Sequence, residues 1–343
     1  MKIQENLPLA PFTTFGIGGP ARWFIEASTE AEVLDAVTFA RERALPLFVL
    51  GGGSNLLVSD AGFAGVVLYN ALKGVASAEN KGFRDYQVAA GEDWDRFVSH
   101  AVAQNCAGIE CLAGIPGTVG GTPVQNVGAY GQEVAETIEN VRVLDLESLA
   151  YREMSTTECG FTYRTSIFNS TAKGRYLVTR VDYRLNPGGA PNLRYADLKK
   201  AFAAESQPSL AEVAAAVRGI RQSKGMLLVE GDPDCRSAGS FFKNPIIALD
   251  LLPNLTANFG APLPTYPAGE GKVKLPAAWL IERAGFPKGF RLGRAGISSR
   301  HTLALVNLGG AQAADILALR DLIVNRLQTL GVPLEMEPVL LGF

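Results

Sequence analysis

Two glycine-rich stretches hold the residues best suited to chemistry. The first is Gly51-Gly52-Gly53-Ser54-Asn55, directly after the apolar run Leu47–Leu50. The second spans residues 108–131 and holds seven glycines: Gly108, Gly114, Gly117, Gly120, Gly121, Gly128 and Gly131. Glycines in series let backbone approach a ligand closely and leave N–H groups to hold anionic oxygen. Ser54 and Asn55 add side-chain donors to the first loop, and Thr118, Thr122, Gln125 and Asn126 are interleaved through the second. A loop of that length suits a large, flat, polar ligand. Alone, the first loop reads equally well as a tight turn; the second cluster tips the reading toward a ligand. Neither stretch is GxxxxGK[ST], and neither is GxGxxG ahead of a helix, so the P-loop and the Rossmann fingerprint are both missing.

Other chemistries lack their residues. The histidines are His100 and His301, and Cys106, Cys111, Cys159 and Cys235 form no CxxC pair. No zinc site is expected, and no Ser–His–Asp hydrolase, because neither histidine lies near a GxSxG. A chain of 343 residues can bury a core without disulfides, so the cysteines read as free, buried thiols. Thirty-two basic against 34 acidic side chains give a net charge of −2. No net positive field draws the chain to nucleic acid or a membrane surface, and neither partner is expected. The N-terminus lacks the pattern of a signal peptide, and no apolar run approaches the ~18–20 residues of a spanning helix. The expected location is cytoplasmic and the expected state a monomer. Glycine is the compositional oddity: 37 residues, well above the usual share of about 7 %.

The elements that must position these loops are legible in outline. Arg22–Glu26 is a short extended run. Thr29 and Glu32 form a capping box for a helix with Val33, Leu34, Val37 and Ala40 on one face. Pro46 ends it, and Leu47–Leu50 and Val66–Tyr69 read as buried strands. This alternation is α/β layering. Val88–Ala90 is extended, and Asp93 caps a helix carrying Trp94, Phe97, Val98 and Ala101. Residues 138–185 alternate as three strands. Ser209 with Glu212 opens a helix running to about Lys224. Further helices are expected at about 276–284 and 311–330, and the last segment, LEMEPVLLGF, is extended.

Several motifs occur together and in order: Thr14-Phe15-Gly16-Ile17-Gly18-Gly19, Leu50–Asn55, the 114–131 loop, Tyr163-Arg164, Gly239-Ser240-Phe241-Phe242-Lys243-Asn244-Pro245, and in part Leu334-Glu335-Met336-Glu337. Each is weak alone. Together they cover essentially the whole chain, which resembles the UDP-N-acetylenolpyruvoylglucosamine reductase family of peptidoglycan precursor synthesis. The resemblance implies an α+β fold: a p-cresol-methylhydroxylase-type FAD-binding fold of two α/β subdomains, 1–72 and 73–225. A C-terminal α+β substrate-binding domain, 226–330, would follow, with the strand 331–343 returning to the active site. It implies non-covalent FAD, NADPH as co-substrate, and reduction of UDP-N-acetylglucosamine enolpyruvate to UDP-N-acetylmuramate. Hydride would pass from NADPH through FAD to the enolpyruvyl group.

By the same resemblance Ser240 donates the proton, Arg164 stabilises enolate charge and Glu337 is the acidic partner. A serine hydroxyl is a poor acid, so its partner must be a strongly basic, carbanion-like species. A guanidinium forks onto a carboxylate. Glu335 competes with Glu337, because both face one side of an extended strand. The chain departs from the family just afterwards, with Pro338-Val339 where valine then arginine is common. The cofactor set implied is Gly51, Gly52, Gly53, Ser54, Asn55, Ile115, Pro116, Gly117, Thr118, Gly121, Thr122, Gln125, Asn126, Gly128, Ala129 and Arg221. Tyr130, Tyr163, Tyr195, Lys224, Asn244 and His301 are the implied substrate contacts. Two other readings stay open: another oxidoreductase on the same flavin fold, such as an alcohol or sugar oxidase, and a non-catalytic nucleotide-sugar sensor.

Overall fold

The computed structural model describes residues 1–203 and 206–343. The chain divides into two compact units. The first comprises Met1–Leu7, Ala21–Gly52 and Ala64–Gln222; the second comprises Pro8–Pro20, Gly53–Phe63 and Ser223–Phe343.

The first unit holds two larger sheets and a two-stranded one, Gly128–Ala129 with Gln132–Glu133. One has four strands in the order Lys2–Pro8, Pro20–Ala27, Phe63–Asn70, Leu47–Leu50, the last two parallel. The helix Glu30–Glu42 follows the strand Pro20–Ala27, and Thr29 accepts from the Glu32 N–H at its start. It buries Val33, Ala36, Val37 and Ala40 against Ile25, Val66 and Leu68. Val66–Leu68, in the interior of the sheet, is fully buried and reads as a continuous apolar run, whereas Leu47–Val49 at its edge is half-buried.

The other sheet is antiparallel, in the order Ala150–Ser155, Ile138–Asp145, Tyr176–Pro187, Phe83–Ala89, Val75–Asn80. Its core gathers Tyr86, Val141, Val181 and Tyr183 with Trp94, Phe97 and Val98 from the helix Trp94–Ala103. Val213 and Val217 of the helix Leu210–Ser223 join the same core. That helix starts as the capping pair requires: Ser209 Oγ accepts from the Glu212 N–H, and Glu212 accepts from the Ser209 N–H. All four cysteines are free and buried.

Several elements carried no sequence expectation, among them two strands and a helix. Lys2–Pro8 and Val75–Asn80 are strands, and Leu252–Phe259 is a helix. Every residue of Val75–Asn80 is exposed, so no alternation of apolar and polar residues marks it. It is a sheet edge, paired to Phe83–Ala89 through a Lys81-Gly82 turn with φ of 51° and 85°.

The second unit has its own core, built from Phe15, Ile17 and Leu57 with Phe241, Phe242, Leu280, Ile297 and Leu319. Three helices, Leu252–Phe259, Ala277–Arg283 and Ala313–Thr329, pack with two small antiparallel sheets. The final strand Val339–Leu341 lies parallel to Leu56–Val58. No helix among the described residues is long and apolar enough to cross a membrane, and no cluster of three metal-ligating side chains occurs among them.

Candidate active site

In the first unit the two glycine stretches pack on each other. A Cβ on Gly52 would sit 2.6 Å from Gly117 Cα, and one on Gly51 would sit 2.6 Å from Thr118 Oγ1. Gly52 meets backbone, which cannot swing aside, so packing alone requires glycine there. Gly121 is different: it is exposed, and nothing lies within 4 Å of where its Cβ would be. The N–H groups of Val119, Gly120, Gly121 and Thr122 bond to the carbonyls of Glu92, Ala90, Thr118 and Val119 at 2.9, 2.8, 2.9 and 3.0 Å. These four amides build the turn and are not the anion donors that glycine richness suggested. Thr122 is buried as well, its hydroxyl bonded to Val119 O and the Tyr183 hydroxyl. The loop's offering is a rigid, close-approach surface open at Gly121.

Two tight turns present the next candidates. Gly128–Ala129 pairs with Gln132–Glu133, leaving Tyr130-Gly131 as a two-residue turn with φ of 49° and 84°. Positive φ at both central residues is the type I′ signature. Thr162 and Thr165 bridge in the same way around Tyr163-Arg164, with Arg164 at φ 53°. A left-handed arginine or tyrosine is held only where its surroundings over-determine it, and such residues cluster at functional sites. The supports are visible here. Arg164 donates to Gly128 O at 2.7 Å, Asn169 donates to Arg164 O at 3.1 Å, and the guanidinium lies 5.3 Å from the Tyr163 ring centroid. Asn126, itself at φ 42° and buried, ties the two turns by donating to Glu133 at 2.8 Å and to Thr162 O at 3.0 Å.

Arg221, from the helix Leu210–Ser223, is 7 % exposed and donates from Nε to Gly114 O at 2.9 Å. Burial lowers its pKa, and the Tyr130 side chain, a hydrogen-bond partner, and Asp95 oppose that. It is therefore a strut beneath the 114–131 loop. Tyr195 is exposed, and its ring meets Tyr130 edge-on at 5.3 Å.

The second unit holds Gly53, Ser54, Asn55, Lys224, Ser240, Asn244, His301 and Glu337. Ser240 and Glu337 are brought together by main-chain pairing. The Glu337 N–H donates to Phe241 O at 2.9 Å, Phe242 bridges Met336, and the Lys243 N–H donates to Glu335 O at 2.9 Å. Ser240 is half-buried, one residue ahead of the fully buried Phe241, whose N–H is fixed to Leu303 O at 2.8 Å. The same pairing separates the two glutamates. Glu335 lies opposite Lys243 and forms an exposed ion pair with it at 3.1 Å, whereas Glu337 is half-buried beside the serine segment. Asn55 anchors this tail, donating to Glu337 O at 3.2 Å and accepting from the Val339 N–H at 2.9 Å. Asn244 directs its Oδ1 to the Ala277 N–H at 2.9 Å, capping a helix.

Lys224 and His301 form a second group. Burial, with the Lys224 and Lys288 ammonium groups facing it, pulls the His301 imidazole down to about 4. Asp234 and Arg300 brace this group. Asp234 accepts from Ser299 and from Arg300 Nε at 2.9 Å, and a Cβ on Gly225 would sit 3.0 Å from the Asp234 Cβ. Sequence reasoning had no signal for Lys288, which sits in no motif.

The candidate residues thus fall on rigid glycine loops and tight turns in the first unit, and on a serine segment paired through the main chain with a glutamate segment in the second. The family model for an FAD binding domain matches residues 21–148, and the model for the UDP-N-acetylenolpyruvoylglucosamine reductase C-terminal domain matches residues 232–341. The curated reductase of that name from Thermobifida fusca is 45 % identical, over 99 % of this chain and 98 % of its own. That from Streptomyces coelicolor is 44 % identical, over 99 % and 91 %. The crystal structure of the Thermus caldophilus reductase superposes with a TM-score of 0.69 at 29 % identity, covering both chains entirely. The chain belongs to the UDP-N-acetylenolpyruvoylglucosamine reductase family. Its fold is the FAD-binding α+β fold that the motifs implied. The open backbone face at Gly121 and the strutted loop suit a large, flat, polar cofactor.

Proposed function

We propose that the chain reduces UDP-N-acetylglucosamine enolpyruvate to UDP-N-acetylmuramate, with FAD as cofactor and NADPH as co-substrate. Bound FAD supplies the two-electron relay from NADPH to the enolpyruvyl alkene, which no side chain can do. The cofactor residues named above hold it, with Gly121 giving close approach and Arg221 stiffening the loop beneath. The protein's own task is to place the substrate, hold the charge that develops on its carboxylate and deliver one proton. Arg164, locked in its turn, offers guanidinium donors to the enolate oxygens. Ser240 gives its hydroxyl proton to the carbon that becomes carbanion-like, and Glu337 polarises that site from the paired strand. Lys224, His301 and Asn244 bind the diphosphate and uridine, and Tyr130, Tyr163 and Tyr195 flank the nucleotide sugar. The four-part division at residues 72, 225 and 330, a monomeric state and a cytoplasmic location belong to the same reading.

The observation that carries this reading is the main-chain pairing of the Ser240 segment with Glu337. Ser240→Ala tests it. Anaerobic reduction of the flavin by NADPH should survive, while enolpyruvyl reduction should fall by ~10²–10⁴, the usual weight of a general acid. An equal loss of both half-reactions would remove Ser240 from the chemistry.

A further inference from the structure

Glu110 is completely buried, yet nothing in the reaction above uses it. It opens the short turn Glu110–Leu112, and both carboxylate oxygens are engaged by neutral donors. Oε2 accepts from the Gly108 N–H at 2.8 Å. Oε1 accepts from Gln132 Nε2 at 2.8 Å and from the Asn192 N–H at 2.8 Å. Those last two donors matter because of where they sit. Gln132 directly follows the Tyr130-Gly131 turn, and Asn192 opens the segment that ends at Tyr195. One carboxylate thus joins the bases of the two segments whose tyrosine rings meet edge-on at 5.3 Å.

Neighbouring contacts repeat the link. The Cys111 N–H donates to Gln132 Oε1 at 2.8 Å, and Cys111 Sγ donates to Asn192 O at 3.2 Å. Asn192 in turn donates from Nδ2 to Gly131 O at 2.9 Å and accepts from the Arg194 N–H at 2.9 Å. We infer that Glu110 is a positioning residue, a buried latch that sets Tyr195 against Tyr130 before the nucleotide-sugar arrives. The inference rests on the reading above that Tyr195 contacts the substrate. A carboxylate suits the post because three N–H donors converge on two acceptor oxygens. An amide offers one such oxygen and would turn its own N–H groups toward a donor.

The experiment is a double-mutant cycle of Glu110→Gln with Tyr195→Ala on FAD-loaded enzyme, read as KM for the UDP-substrate and as the rate of flavin reduction by NADPH. Tyr195→Ala alone should raise KM. Glu110→Gln alone should raise it about tenfold, with flavin reduction within about twofold of wild type. In the Tyr195→Ala background the effect of Glu110→Gln on KM should shrink below about twofold. Unchanged KM in Glu110→Gln, or an equal rise in both backgrounds, overturns the latch while leaving Tyr195 as a substrate contact. A Tyr195→Ala enzyme with wild-type KM overturns that contact and the latch with it. Should Glu110→Gln fail to fold, Asn192→Ala removes the clamp on Gly131 instead, with the same non-additivity expected.

Discussion

His301 shows how one residue's surroundings decide its chemistry. A histidine facing an anionic diphosphate is usually imagined charged, but burial beside Lys224 and Lys288 keeps this imidazole neutral to about pH 4. It can accept or donate a hydrogen bond without adding a third positive charge to the group. The sign of its effect on stability follows. Above pH 6.5 both folded and unfolded histidine are neutral. As pH falls from 6.5 toward 4, the unfolded chain gains a proton that the fold refuses, so stability is lost across that window. Between pH 7.5 and pH 5 the loss from this group is about 2 kcal/mol. His301→Gln should remove that component, making urea midpoints less pH-dependent than in wild type. Parallel curves for variant and wild type would show that another group titrates. The motif reading favours Glu337 over Glu335; in the structure Glu335 pairs with Lys243, while the Glu337 N–H is bonded to Phe241 O.

At the scale of elements, the glycine loops divide into two kinds that composition cannot separate. Gly52 is glycine because backbone fills the space beside it, whereas at Gly121 the space is open. Gly52→Ala should cost about 1–3 kcal/mol, the usual range for overpacking, and should lower the melting temperature of cofactor-free protein. Gly121→Ala should leave cofactor-free stability within about 0.5 kcal/mol yet weaken FAD binding, read by flavin fluorescence on titration. Equal melting temperatures for the two variants would contradict the division. Helices with caps and periodic apolar faces were legible from sequence, because their signals are local. The Val75–Asn80 edge strand was not, since it buries nothing. Nor was the main-chain satisfaction of Val119 and Gly120, whose acceptors Glu92 and Ala90 lie far back in the sequence and are brought alongside only by the fold.

For the whole molecule, the family was readable because its motifs recur in order along nearly the full chain. The arrangement that gives them purpose was less so. The second unit draws Pro8–Pro20 and Gly53–Phe63 into a core otherwise made of residues after 222, a long-range assembly with no sequence period. The tail beside Leu56–Val58 and the Ser240 segment is part of the same assembly, which brings residues as far apart in sequence as Asn55 and Glu337 into contact. A reduced flavin in this protein should hand its electrons to an enolpyruvyl UDP-sugar. Anaerobic spectroscopy of purified, FAD-loaded protein tests it most directly. NADPH should bleach the flavin band, and UDP-N-acetylglucosamine enolpyruvate should restore it with formation of UDP-N-acetylmuramate. A bleached flavin that ignores this substrate and recovers only with oxygen would contradict the account.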